Sequence, residues 1–345
     1  MKEIRTVDAV GQRLCHDITQ IVRGVTKDAR FRKGHVICEA DVPVLLSLGK
    51  DHIYIWDADG SQLHEDEAAD VLRALCQNAH MHATAPKEGK IELVADCDGV
   101  FQVDADRLNA VNEIEDMTIA TLPQNMPVQK GRHLAGMRVT PLFIGKERME
   151  EVKKVAGSEP LLRIRPYRKN LRVGVVTTGT EVFLGRIEDT FTPVLAAKLK
   201  AFGLAIAAHR LTDDVTEHTQ AAIEELLDRG MDMVLCTGGM SVDPDDRTPA
   251  AIRAAGAEVV TYGAPVLPGA MFLLAYAERD GRTVPVLGLP GCVMYSAATI
   301  FDIVLPRLLA GERVTRREIR RLGLGGLCLA CETCHYPRCT FGKWE

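Results

Sequence analysis

Three stretches decide the fold of the second half of this chain: LRVGVVTTGTE (residues 171–181), MDMVLCTGGMS (231–241) and TVPVLGLPGC (283–292). Each opens with a short apolar, β-branched run and closes in a glycine turn, the pattern of a buried strand followed by a loop. Segments with apolar residues at helical spacing lie between them, such as EHTQAAIEELLDRG at residues 217–230. The alternation predicts βαβ units and therefore an α/β fold in which a parallel sheet is the middle of three layers.

The rest of the chain has a different pattern. The first half predicts helices over residues 41–48 and 64–77, and IELVADCDGVFQVD (91–104) predicts a hairpin because it alternates around an Asp-Gly turn. The charged, proline-containing segment that ends at Arg168 is typical of a domain boundary. We therefore predict two small α+β modules, the α/β domain and a Cys-rich tail, at residues 1–80, 81–169, 170–315 and 316–345.

Composition limits the classes of function. The 345 residues are 46% hydrophobic, and 42 Lys and Arg against 47 Asp and Glu give a formal charge of −5, so we expect neither nucleic acid nor a membrane surface as a partner. No apolar run approaches the roughly 20 residues that span a bilayer, and the first residues are charged where a signal peptide needs apolar ones. We expect a cytoplasmic protein. Hydrolase, zincin and P-loop motifs are missing from the sequence.

The three glycine turns are the candidate binding loops. Backbone N–H groups after a buried strand can face an anion, and neighbouring parallel strands bring their loops to one crevice. An acid that follows another predicted strand, Asp214, is a further candidate, although a helix cap is equally plausible for LTDD. The candidate cofactor-binding residues are Thr178, Gly179, Thr180, Glu181, Asp214, Thr237, Gly238, Gly239, Ser241, Pro290, Gly291 and Cys292.

The second loop continues into an acidic cluster, DPDDRTP at residues 243–249. Carboxylates beside a phosphate-binding loop can hold Mg²⁺, a hard cation that shares its coordination sphere with phosphate oxygens. Acids before a helix can also act as caps and dipole partners. We predict Asp245 and Asp246 as the catalytic pair and Asp246 as a metal ligand.

Taken in order, TTGTEVFLGRIEDTFTPVLAAKLKAFG, LTDD, CTGGMSVDPDDRTPAAIRAAG and VLGLPG resemble the molybdopterin-binding domain of proteins that complete the molybdenum cofactor. The resemblance covers residues 171–313, and the preceding half is similar in length and position to the extra domains of the molybdopterin molybdotransferase branch. It implies that molybdopterin, or its adenylylated form, binds in the crevice, with Asp246 matching the acidic residue after the TGG motif. It also implies that Mg²⁺ and molybdate meet the pterin there, that AMP leaves as the metal is inserted, and that the chain is a homodimer serving a molybdoenzyme or another cofactor-biosynthesis protein.

Departures from that family keep two alternatives open. Leu267-Pro268-Gly269-Ala270 lacks the flanking lysines that the resemblance leads us to expect around molybdate, and Arg247 or Arg282 would have to substitute. A protein that only carries or senses the cofactor fits that loss. The GTE-x3-G-x3-D-T stretch, which begins at Gly179, also resembles nucleotide pyrophosphatases of the CinA-like kind.

Cysteines supply two further hypotheses. MYSAATIFDIVLPRLLAG predicts a helix over residues 294–311, and a helix start beside Cys292 would lower the pKa of its thiol. The tail contains Cys328, Cys331, Cys334 and Cys339 in a C-x2-C-x2-C-x4-C pattern with His335 between the last two. The spacing lies near a ferredoxin run and also allows compact structural Zn²⁺ held by four cysteines or by three cysteines and His335. An iron–sulfur cluster, zinc and unliganded thiols therefore all remain open. Bound metal would fold a segment that lacks a core.

Overall fold

The computed structural model describes residues 2–22, 24–55, 60–241, 243–244 and 246–343. The strands are β1 (Lys2–Arg5), β2 (Ile18–Val22), β3 (Thr26–Phe31), β4 (His52–Ile55), β5 (Gln62–His64), β6 (Met81–Ala83), β7 (Ile91–Ala95), β8 (Gly99–Val103), β9 (Met117–Thr121), β10 (Met126–Val128), β11 (His133–Val139), β12 (Phe143–Gly145), β13 (Leu162–Pro166), β14 (Val173–Thr178), β15 (Ile206–Thr212), β16 (Met233–Thr237), β17 (Glu258–Tyr262), β18 (Leu273–Arg279) and β19 (Arg282–Leu289). The helices are α1 (Asp41–Ser47), α2 (Glu65–Cys76), α3 (Ala105–Asn112), α4 (Lys146–Ala156), α5 (Thr180–Phe183), α6 (Phe191–Lys200), α7 (Thr216–Asp228), α8 (Thr248–Ala254), α9 (Ile300–Leu309) and α10 (Arg316–Arg321).

These elements form two compact units. The first comprises Met1–Cys97, Val103–Leu122 and Lys130–Ile164. The second comprises Asp98–Gln102, Pro123–Gln129 and Arg165–Glu345, so the Cys-rich tail belongs to the unit that holds the predicted α/β domain. The four-part division at residues 80, 169 and 315 stays a prediction.

The first unit is built from small antiparallel sheets. Its four-stranded sheet has the order β6-β7-β11-β9, and α2 packs on β7 and β11. The helix α2 begins in a capping box: the His64 side chain accepts from the Asp66 N–H, and Glu67 accepts from the His64 N–H. The helices predicted over residues 41–48 and 64–77 are thus confirmed as α1 and α2.

The hairpin predicted over residues 91–104 is wrong. The strands β7 and β8 flank the Asp-Gly turn as expected, but they belong to different sheets, since β7 pairs with β6 and β11 whereas β8 lies between β10 and β13. Alternation predicted the two strands but not their partners, because period-2 patterning shows which face is buried and not which strand lies alongside.

The second unit is organised around a six-stranded sheet of order β15-β14-β16-β19-β18-β17. The first four strands in that order run parallel, whereas β18 is antiparallel to both β19 and β17. The sheet is therefore mixed, which corrects the wholly parallel sheet predicted from the sequence. Asp280 and Gly281 close the β18–β19 hairpin with positive φ angles of 51° and 71°, as a type I′ turn requires.

Helices cover both faces of this sheet. In β14, Val173 and Val175 point into a core shared with α6 and α9, whereas Val176 joins a separate core shared with α7 and α8. Alternate residues of one strand thus serve opposite faces, as pleated strands require. The layers predicted from the βαβ pattern are present.

The last long helix starts later than predicted. Residues Gly291–Met294 form a 3-10 turn, and α9 begins only at Ile300. A capping box fixes this start, because the Thr299 hydroxyl accepts from the Phe301 N–H and the Asp302 carboxylate accepts from the Thr299 N–H. The helix predicted over residues 294–311 is therefore wrong for its first six positions, and Cys292 does not lie at a helix start.

The Cys-rich tail packs on the second unit. The Leu267 N–H donates to the Gly326 carbonyl at 2.8 Å, and the Cys328 N–H donates to the Leu267 carbonyl at 2.8 Å. Phe341, only 3% exposed, belongs to the core beneath α9, and the Tyr336 hydroxyl donates to the Asp302 carbonyl at 2.9 Å. The tail therefore has both a backbone connection and a buried anchor.

Across the described ranges, no helix has the length and apolar character needed to span a membrane.

Candidate functional site

Strand register brings the three predicted loops to one edge of the sheet. Thr177 of β14 is paired with Thr237 of β16, and Thr237 is paired with Leu289 of β19. The three strands are parallel neighbours, so their carboxyl ends coincide and their loops start side by side. We call these strand ends and their loops the carboxyl edge.

The second loop approaches the first more closely than a side chain would allow. Gly238 has a φ of +85°, and a Cβ placed there would lie 2.3 Å from the Thr178 carbonyl oxygen. Gly239 has a φ of +53°, and its Cβ would lie 2.8 Å from the Thr248 hydroxyl. Only glycine adopts that backbone conformation without a side chain that would overlap these atoms. The loop therefore approaches β14 through its main chain.

Buried hydroxyl groups connect the loops to one another. The Thr178 hydroxyl donates to the Thr237 carbonyl at 3.2 Å and lies 3.3 Å from the Thr248 hydroxyl, which donates to the Gly238 carbonyl at 2.8 Å. All three threonines are buried. Because buried polar groups must be paired, these bonds hold the glycine turn against the first loop.

A carboxylate already occupies the first loop. Asp214 accepts from the Thr180 N–H at 2.9 Å and from the Thr180 hydroxyl at 2.8 Å. Its neighbour Asp213 instead accepts from the Val215 N–H at 3.1 Å and lies 2.9 Å from the imidazole of His218, at the start of α7. The LTDD motif therefore divides its two acids: Asp213 lies in the turn before α7, whose N-cap Val215 makes no side-chain cap bond, and Asp214 links two loops. Gly179 lies half-buried beside Thr180, and Glu181 is exposed.

Asp246, which follows the second loop, lies within electrostatic reach of a tyrosine that sequence reasoning missed. The Tyr262 hydroxyl donates to the carbonyls of Met240 and Ser241, both at 3.1 Å, and Ser241 itself is exposed. Burial and the nearby negative charge of Asp246 raise the pKa of Tyr262. Asp246 is half-buried, whereas Asp245 lies outside the described residues.

The third loop has fewer polar side chains than the first two loops. Pro290 is buried, Gly291 is exposed and Cys292 is half-buried. Burial raises the pKa of the Cys292 thiol, which is opposite to the lowering expected from a helix start. Cys292 lies in the 3-10 turn Gly291–Met294 and not at the start of α9, so the lowering predicted for an α-helix start does not apply to it.

A second missed group, His209 of β15, lies against the end of β14. Its Nε2 atom is 2.9 Å from the Thr177 hydroxyl and 3.5 Å from the Asp189 carboxylate. Burial would raise the pKa of Asp189, but hydrogen bonds from the Thr192 hydroxyl and from the backbone of Thr192 and Phe191, together with His209, lower it overall. Asp189 thus caps the first turn of α6 as a carboxylate.

The two arginines proposed as substitutes for lysine lie in different places. Arg282 starts β19, at the opposite end of that strand from Pro290, and pairs with Asp232 at 3.2 Å. It is therefore excluded from the carboxyl edge. Arg247 is exposed within the second loop, where its Nε atom donates to the Pro244 carbonyl at 3.4 Å.

The four tail cysteines line a single cavity of about 460 Å³. Cys331 and Cys334 are exposed, whereas Cys328 and Cys339 are half-buried, and all four are free thiols. We call this space the thiol cavity. Within the part of the chain that the structure describes, no three Cys, His, Asp or Glu side chains are grouped so that they could hold a metal ion.

Comparison with known proteins defines the class of this domain. Residues 174–310 match the family described as a probable molybdopterin binding domain. Residues 3–57 match a domain of unknown function, DUF8806.

The individual relatives are similar to this chain over only part of its length. Molybdopterin molybdenumtransferase of Synechococcus elongatus is 27% identical over 190 residues, 52% of this chain and 45% of that protein. A CinA-like protein of Mycobacterium avium is 34% identical over 90 residues, 26% of this chain and 21% of that protein. The chain thus spans less than half the length of these curated relatives. Among solved structures, the tungsten cofactor synthesizing protein MoaB of Pyrococcus furiosus aligns with 43% of this chain and 99% of its own, at 19% identity and a TM-score of 0.35.

Proposed function

We propose that the carboxyl edge binds the phosphate of molybdopterin or of its adenylylated form. The observation that carries this proposal is the glycine turn at Gly238 and Gly239, where bare main chain is held against β14 by buried hydroxyls. Backbone at such a turn can approach a phosphate closely, and its N–H groups need no rearrangement to do so. The family of residues 174–310 supports the identity of the ligand.

The acids of the second loop suit a magnesium ion that accompanies the phosphate. Mg²⁺ commonly takes one or two protein carboxylates and completes its sphere with water and phosphate oxygens, so a closed protein cage is not needed. Asp246 is half-buried and its charge acts on Tyr262, and we propose Asp246 and Asp245 as the protein carboxylates that bind this Mg²⁺. Bound Mg²⁺ would neutralise charge on the phosphate groups.

We further propose that the chain is an enzyme of molybdenum cofactor biosynthesis, similar to a molybdotransferase. The similarity to a molybdopterin molybdenumtransferase over 52% of the chain supports this reaction. Loss of AMP from an adenylylated pterin needs the leaving phosphate to be stabilised, and the amides of the glycine turn would supply that stabilisation.

A carrier that binds the cofactor without inserting metal is the second candidate. It is favoured by the positions of the two arginines considered as substitutes for lysine. Arg282 pairs with Asp232 away from the carboxyl edge, so of these two arginines only the exposed Arg247 lies at that edge. A nucleotide pyrophosphatase is the third, favoured by the similarity to a CinA-like protein.

One assay distinguishes the three functions. Purified protein is mixed with adenylylated molybdopterin, Mg²⁺ and molybdate, and AMP release is measured with and without molybdate. Release that requires molybdate is the expected result. Tight pterin binding without release would support the carrier. In a parallel reaction that contains ADP-ribose in place of the pterin, hydrolysis would support the pyrophosphatase.

The matched variants are Asp246→Asn and Asp280→Asn. Asp246→Asn should abolish Mg²⁺-dependent release because a neutral amide is a weak Mg²⁺ ligand. Asp280→Asn removes the same charge from the β18–β19 turn, where asparagine also tolerates positive φ, and should leave release unchanged. Full activity of Asp246→Asn would remove the assignment of this residue.

A further inference from the structure

The last part of the chain carries positive charge although the chain as a whole is negative. Residues 313–343 contain six arginines and one lysine against two glutamates, whereas the formal charge of the whole chain is −5. Four of these arginines lie in α10, and all four are exposed: Arg316, Arg317, Arg320 and Arg321. Among the described residues, the ion pairs of this region are made by Arg307 and Arg313 and not by these four. Their charge is therefore available to another molecule.

The helix that carries these arginines is fixed in place. Arg307 of α9 is only 7% exposed, and it pairs with Glu312 at 2.7 Å and with Glu318 of α10. Ile319 of α10 belongs to the core that includes α9, and a capping box at Thr315 starts the helix. The buried side of α10 thus anchors the helix, and the four arginines form a positive surface of defined position.

Exposed leucines continue this surface beyond the end of α10. Four of them are each more than half exposed: Leu267, Leu324, Leu327 and Leu329. The β-bridge between Leu267 and Leu327 places two of these leucines side by side. Single exposed leucines are normal on a protein surface, but a group of neighbouring ones is typical of an interaction site.

The thiol cavity lies among these leucines and makes the apolar surface concave. Its volume is about 460 Å³, and Leu267, Leu327 and Leu329 line it together with Pro268 and Phe341. The four thiols in its wall are weak hydrogen-bonding groups. A pocket of this kind accepts a bulky apolar side chain, as pockets at the centre of protein interfaces do. A flat lipid surface would leave it unfilled.

We propose that the exposed leucines, the thiol cavity and the α10 arginines together bind an acidic segment of another protein. We call this set of residues the tail surface. One bulky apolar side chain of the segment enters the cavity, and its carboxylates lie beside the arginines. An apolar centre with arginine enriched around it is common in protein interfaces, and complementary charge orients the partner as it approaches.

A second copy of this chain is a less suitable partner. The commonest dimers have two-fold symmetry, in which the same surface meets itself, so arginines would face arginines. The proposal concerns the tail surface alone and is independent of the function proposed for the carboxyl edge.

The test uses the full chain and a displayed library of random peptides as the probe. Peptides selected on the chain should contain several acidic residues and at least one Trp, Phe or Leu. The double variant Arg316→Ala/Arg317→Ala removes two charges from the first turn of α10, where positive charge does not stabilise a helix. The control Lys154→Ala/Arg163→Ala also removes two exposed positive charges, but from the first unit.

The affinity of the most enriched peptide is then measured at low salt. The α10 variant should bind it about tenfold more weakly, and so should Leu327→Ser, whereas the control should bind it as the unmodified chain does. Added salt should weaken binding by the unmodified chain and reduce its advantage over the α10 variant, because salt screens exposed charges.

Thiol alkylation followed by mass spectrometry locates the bound peptide. Cys331 and Cys334 are exposed and line the cavity, so the peptide should slow their alkylation, whereas exposed Cys38 should react equally with and without it. Failure to select acidic peptides, equal affinity of the α10 variant and the control, or no protection of the cavity thiols would each overturn the proposal. So would dimerisation, or binding to anionic lipid vesicles or nucleic acid, that is lost in the α10 variant.

Discussion

The carboxyl edge and the tail lie in the same unit, but different forces give them their shape. At the carboxyl edge, parallel register aligns Thr177, Thr237 and the start of the third loop, and buried hydroxyls tie the loops together. In the tail, residues 322–343 contain turns and bends without a helix or a paired strand, and the main anchors are one backbone bridge and buried Phe341. The sheet positions the loops of the carboxyl edge, whereas a few contacts hold the tail in place.

The difference also extends to chemistry. The carboxyl edge offers main-chain groups, hydroxyls and carboxylates, which are hard ligands, whereas the thiol cavity offers soft sulfur and apolar carbon. A site built on a sheet needs no ligand to form, while a site in an irregular segment gains stability when its ligand binds. The following experiments test this contrast, in order of expected effect.

The largest effect is expected at the tail anchor. Phe341→Ala should lower the free energy of unfolding of the second unit by about 3–5 kcal/mol, because it empties a buried aromatic site. The control Leu329→Ala changes a tail residue that is 72% exposed and should alter stability by less than about 0.5 kcal/mol. Denaturant unfolding measures both. Equal effects would show that the tail is not anchored through Phe341.

The next effect concerns the glycine turn. Gly238→Ala should cost about 2–5 kcal/mol, from the positive φ and from overlap with the Thr178 carbonyl, and should abolish pterin binding. Gly203→Ala is the matched control, since Gly203 also has positive φ but no atom within 4 Å of the added methyl group. It should cost only about 1–2 kcal/mol and leave binding intact. If both variants bind pterin equally well, the close approach of the loops has no role in recognition.

A smaller loss is expected for the link between loops. Asp214→Ala leaves the N–H and hydroxyl of Thr180 without their acceptor and should cost about 1–3 kcal/mol. Glu188→Ala removes an exposed acid from the segment after α5 and should be nearly neutral. Thermal unfolding of the two variants, compared at one pH, measures the difference. A neutral Asp214→Ala would mean that water replaces the carboxylate without loss.

The smallest effect is a pH dependence. The folded pKa of Asp189 is lowered, so its carboxylate stabilises the fold above the unfolded pKa of about 3.9, and this stabilisation is lost as the pH falls through the lowered value. Asp189→Asn should therefore be less stable than the unmodified chain at pH 6, and the difference should shrink below about pH 4. Urea unfolding across that range measures it. A difference that stays constant with pH would contradict the role of the charge.

Sequence patterns predicted the parts of the fold that repeat a local rule. Apolar strand runs, helices with one apolar face and glycine turns located β14, β16, β19 and their loops. The reversed strand β18 was missed, and so was Tyr262, because neither lies in a βαβ repeat. An available signal was the Asp-Gly pair at residues 280–281, which closes a real hairpin, whereas the same pair at residues 98–99 does not.

The candidate site was predictable as a set of residues but not as a set of contacts. Thr178, Gly238 and Asp214 were all candidates, yet the sequence could not show that Asp214 bonds to Thr180 or that His209 contacts Thr177. Such contacts depend on register between strands that are distant in the chain. The ligand roles of the loop residues and of Asp245 remain predictions. Asp245 lies outside the described residues.

The reversal of β18 determines which segment lies beside the glycine turns of the carboxyl edge. Because β18 runs against β19, it starts at Leu273 opposite Gly288, and the connection from Tyr262 to Leu273 therefore returns to the carboxyl edge. That connection contains Leu267, which forms a β-bridge with the tail. The last residues of the chain therefore lie near loops that come much earlier in the sequence. The ten-residue connection, residues 263–272, therefore joins β17 and β18 at one edge of the sheet and also carries one of the two main attachments of the tail, the other being buried Phe341 beside α9.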